Sequence, residues 1–111
     1  MKEYPKKIRW QLRELANLAC EKELGVELEA LAAKFEDWKA GRISADDLCD
    51  LIHKFHQGPA RKIYERYSVP SQAGVVVPAA VAAGVLTRED VPDETWGWIE
   101  ETVEIFRRLN S

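Results

Sequence analysis

The chain has 111 residues, of which 46% are hydrophobic and 32% charged, with a formal net charge of −3. That length suits one domain able to bury roughly two-thirds of its unfolded surface, and the composition excludes a disordered chain. The small negative charge gives no overall drive toward nucleic acid. The longest apolar run, 73–86, is too short to cross a bilayer and is interrupted by Pro78. No apolar stretch follows the basic start, which argues against a secretory leader. Cys20 and Cys49 lie inside helical patterns without CxxC spacing, and read as reduced, packed thiols of a cytoplasmic protein.

Pro5 fits the first position of a helix, where its missing N–H would be unpaired anyway. Ile8, Leu12, Leu15 and Ala19 or Cys20 then recur at helical spacing, followed by Leu24, Leu28, Leu31, Phe35 and Trp38 up to Gly41. At about 100° per residue the second stripe lies roughly 160° around the axis from the first. Only Gly25 interrupts the run, at a cost of about 1 kcal/mol against alanine. One long helix with opposite buried faces at its two ends is therefore expected in preference to a break at Gly25. Such a helix often needs a second subunit to cover one face. Lys2, Lys6, Lys7, Arg9 and Arg13 make the start basic and 21–37 is acidic; the basic start reads as a solvated face.

Ser44, with Asp47 three residues on, predicts a capped helix over about 45–56. Gly58 is expected to end it, and Pro59 to open another helix through Tyr67. The stretch 69–74 reads as a loop. Pro78 is expected to start a short helix over 79–85, in which Ala80 and Gly84 allow close packing. Thr87 caps a turn at 88–90. The last helix runs from near Pro92 to about Leu109. Its core stripe is Trp96, Ile99, Val103 and Phe106, with Trp98 and Ile105 on the opposite side. The fold expected is all-α, an irregular bundle of five or six helices led by a long N-terminal one, in a single domain over 1–111.

The segment 46–62 concentrates the candidate chemistry. Leu48, Leu51, Ile52 and Phe55 define its buried face. Cys49, His53 and His56 fall within roughly 60° of one another, about 100° from that face. With Asp50 beside them they could hold zinc or a similar divalent metal, a facing Glu completing the set. The competing reading is a pair of histidines hydrogen-bonded at the edge of the core. Arg61, Lys62 and Tyr64 follow Gly58-Pro59 at a helix start, where free N–H groups and positive charge suit an anion or phosphate. Against this, Arg61 could simply pair with an acid of the long helix. Asp47-x-x-Asp50 and Glu101-x-x-Glu104 have the spacing of paired magnesium carboxylates but sit some fifty positions apart. Nucleophilic catalysis lacks a GxSxG motif, although Cys49 stands four residues from His53. No phosphate loop is present.

Four tryptophans are many for this length. Trp10 and Trp98, with Ile105, lie off the main core stripes and suggest a subunit interface. The function expected is non-catalytic and needs no cofactor: a small helical interaction protein that self-associates, most simply as a dimer, without membrane or nucleic acid. The rival is a metal- or phosphate-binding protein, or a hydrolase, centred on Cys49, His53, His56 and Arg61.

Overall fold

A computed structural model describes residues 3–111 and shows an all-α fold, with no strand among them. Helix α1, Lys6–Lys39, passes through Gly25 without a break and is about 50 Å long at 1.5 Å per residue. Gly41 ends it with φ +79°. The Gly41 N–H donates to the Trp38 carbonyl at 3.0 Å and the Arg42 N–H to Asp37 at 2.8 Å. This closure needs a left-handed residue just past the helix, which glycine adopts most readily.

Helix α2, Ala45–Phe55, starts on a complete capping box. The Ser44 hydroxyl accepts from the Asp47 N–H at 2.9 Å, and the Asp47 carboxylate accepts from the Ser44 N–H at 3.1 Å. The break expected at Gly58 does not occur. A single π turn, His56–Ala60, carries the chain into α3, Arg61–Tyr67. Pro59 lacks an N–H and its ring would strike a carbonyl of a regular α turn; the wider turn relieves both problems. Residues 45–67 are thus one continuous helix, which leaves four helical bodies where five or six were expected.

The stretch read as a loop holds a 3-10 turn, Pro70–Gln72, and the start of α4, Ala73–Ala82. Pro78 sits inside α4 rather than at its start. An internal proline costs about 3 kcal/mol, which complete burial of Val77 and Pro78 offsets; apolar side chains contribute about 1.5–3 kcal/mol each on burial. Gly84 is exposed at φ +82° and closes α4, so it is a cap and not the packing residue expected. Val85 N–H to Ala80 and Gly84 N–H to Val81 complete that closure. Thr87 and Asp90 form a second capping box over the 3-10 turn Arg88–Asp90, and α5 follows, Asp93–Asn110.

The core gathers Ile8, Leu12, Leu15, Ala16 and Ala19 of α1, Ile63 and Tyr67 of α3, Val77, Ala80 and Val81 of α4, and Ile99 and Val103 of α5. Leu86 and Val91 seal it between α4 and α5. Trp96 and Phe106 of the expected α5 stripe are only half-buried; the Arg88 guanidinium covers the Trp96 ring at 4.6 Å. Thr95, fully buried, donates its hydroxyl to Gln11 on α1. No residue of α1 beyond Ala19 is buried.

The second stripe of α1 therefore does not enter the core. Together with α2 it forms an arm, residues 25–55, that extends away from the other helices. The molecule measures 53 × 26 × 22 Å with a radius of gyration of 17.3 Å, against about 13 Å for a compact chain of this length. Among the described residues no helix is long and apolar enough to cross a membrane.

Candidate functional site

The π turn places His56, Gln57, Arg61, Tyr64 and Glu65 along one side of the 45–67 helix, with Ser68 at its C-cap, around an open depression of about 380 Å³. Lys62 does not line it. The Arg61 Nε donates to Glu65 at 3.1 Å, on its own helix. The acid on α1 is claimed instead by Arg66, which reaches Glu23 at 2.7 Å. Every wall of the depression comes from one helix, so a bound anion would meet donors on a single side.

The four candidate metal ligands do not assemble. Among the described residues no group of three or more His, Cys, Asp or Glu side chains could hold an ion. Asp50 is drawn to Lys54 at 2.9 Å, one turn along α2. His53 and His56 are exposed, so neither is a core-edge histidine either. Cys49 is an exposed free thiol rather than a packed one, whereas Cys20 is half-buried. Burial beside Glu23 and Glu21 pushes the Cys20 thiol up, away from thiolate chemistry.

Around Glu23 lies a small polar knot. Tyr67 is pushed up to about 12, first by burial and then by the Glu23 carboxylate. With Arg66 these groups fasten α3 to α1. Lys22 to Asp90 at 2.6 Å fastens the 88–90 turn in the same way, and holds the Asp90 carboxyl below its usual range.

Of the three proposed interface residues, Trp10 and Ile105 remain about half exposed. Trp98 is half-buried beside Tyr4, the rings meeting edge to face at 5.8 Å. The exposed apolar surface that the spacing expects to be buried lies on the arm. Leu28 is 50% exposed, Trp38 42%, Ile52 38% and Phe35 37%. Leu31, Ile43, Leu51 and Phe55 of the arm are half-buried, and within 25–55 Leu48 alone is buried. The helical spacing that identified the stripe also predicted burial; it carries no sign that only one thin helix would arrive to cover it.

A second unforeseen feature is a groove of about 670 Å³ beside the N-terminal half of α1. Tyr4, Leu12, Pro70, Ala73, Gly74 and Val75 supply its apolar surface, and Lys6, Arg9 and Arg13 line one edge. The Tyr4 ring lies against Gly74, where a Cβ would come within 2.8 Å of it. Burial raises the Tyr4 phenol above its usual range. Comparison with protein-family models, curated proteins and solved structures finds no match to this chain.

Proposed function

We propose that the chain is a non-catalytic, self-associating helical protein whose arm packs against the arm of a second copy. The observation that carries this reading is the half-covered apolar face of residues 25–55. Two helices form only one layer, and an apolar face is stable when a second layer covers it. A second arm laid antiparallel supplies that layer by two-fold symmetry and completes a four-helix bundle. The charges on the arm permit it. Asp37 is satisfied by Arg42 at 2.9 Å and Lys34 at 3.8 Å, Glu36 by Lys39 at 3.5 Å, and Asp50 by Lys54. These pairs lie within one arm, so they need not be broken for two arms to meet.

Among the described residues no group of three or more His, Cys, Asp or Glu side chains could hold a metal ion. Free Cys20 and Cys49 suit a reducing, cytoplasmic setting. Equilibrium sedimentation tests the reading. A concentration-dependent dimer is expected, weakened by Leu28→Glu, which puts a charge into the open face.

A further inference from the structure

We infer that the groove between α1 and α4 is a docking site for an acidic amphipathic helix of a partner protein. Lys6, Arg9 and Arg13 follow one another at i, i+3 and i+7, within roughly 60° of one face, and form a row about 10 Å long. All three line the groove. Although the chain has 19 acids to 16 Lys and Arg, none lies within ion-pair distance of these three among the described residues. Their neighbours are spoken for: Lys7 reaches Glu94 at 3.0 Å, and Gln11 donates to the same carboxylate at 2.8 Å. Among the described residues, the row is the one stretch of α1 whose positive charges meet no acid of the chain.

The opposite wall is apolar and shaped by Gly74. Because Gly74 has no side chain, the Tyr4 ring comes close against α4, and its other contact is with Trp98. Val75, more than half exposed, stands at the mouth. A bound helix would present acids one turn apart to the cationic row, and its apolar face to Val75, Pro70 and the Tyr4 ring. This is the helix-in-groove mode, with specificity from charge complementarity. A small anion would engage one cation and leave two unmet. A membrane surface would call for an outward-facing apolar patch, whereas Leu12, Ala73 and Gly74 sit at the bottom of a concavity.

The test uses the full chain and a synthetic helix of about 15 residues, with Glu at i, i+3 and i+7 beside a leucine face. Saturable binding is expected by anisotropy of the labelled peptide, weakening as salt is raised. Lys6→Gln, Arg9→Gln and Arg13→Gln combined should weaken it about tenfold or more. Val75→Glu should do the same by repelling the acids. All four side chains are exposed, so circular dichroism should show the fold unchanged. The inference is overturned if the peptide does not bind, or if its Gln-for-Glu counterpart binds equally well. It is also overturned if phosphatidylserine vesicles bind through these residues and the peptide does not, or if the triple variant dissociates a dimer of this chain, which would give the groove to a second copy. Arm-mediated dimerisation is read separately by sedimentation and stands or falls without it.

Discussion

At Gly74 a missing side chain decides how the N-terminus packs. A methyl group there would meet the Tyr4 Cε2 at 2.8 Å, so Gly74→Ala should push the ring off α4 and out of its contact with Trp98. The aromatic pair is worth about 0.5–1.5 kcal/mol; thermal unfolding should show a loss of that size, with altered tryptophan emission. Unchanged stability and emission would contradict the packing. Tyr67 makes a different kind of test. Its phenol ionises near 10.0 when exposed but only at about 12 in the fold. The native state therefore holds its proton where the unfolded state has released it. The stability from this difference is complete below pH 10 and is lost as pH rises from 10 to about 12. Stability measured across that range should fall more steeply for the native chain than for Tyr67→Phe. Neither feature was legible in the sequence: Tyr4 and Gly74 are seventy positions apart, and nothing local to Tyr67 announces Glu23.

The helices were more readable than their ends. Both capping boxes, at Ser44 and Thr87, stand where the residue types place them, because the bonds involved span only three positions. Proline was misread twice. Pro59 and Pro78 each carry the local signature of a helix start, yet each sits inside a helix because local relief or burial outweighs its cost. Among the glycines, Gly25 continues the helix as expected, whereas Gly84 departs from expectation because its sign of φ is not written in the sequence. Gly25 is ordinary helix with open space around it, so Gly25→Ala should stabilise the chain by up to about 1 kcal/mol. Gly84 is left-handed, so Gly84→Ala should cost roughly 1 kcal/mol or more. Chemical denaturation of the pair checks both; the same sign for both would contradict an unbroken α1 or the closure at Gly84.

The whole molecule shows what periodicity can and cannot say. The two stripes of α1 were correctly phased on opposite faces, and the first became the core. The second was expected to be buried too, but burial depends on how many elements arrive, and only α2 does. The candidate chemistry of 46–62 fared less well for a related reason. Angular proximity on one helix brought His56, Arg61 and Tyr64 around a depression, but supplied no opposing wall, and the Cys49, His53 and Asp50 side chains found no ion-holding arrangement. What remains is a helical head with an apolar arm that the head does not cover. The most direct test of this account is sedimentation of the native chain at micromolar concentrations beside Leu28→Glu and Val26→Glu. Val26 is 70% exposed and lies roughly 160° around α1 from Leu28. A native dimer is expected, lost in Leu28→Glu and kept in Val26→Glu. A native chain that stays monomeric throughout, or a dimer that Val26→Glu breaks and Leu28→Glu leaves intact, would contradict it.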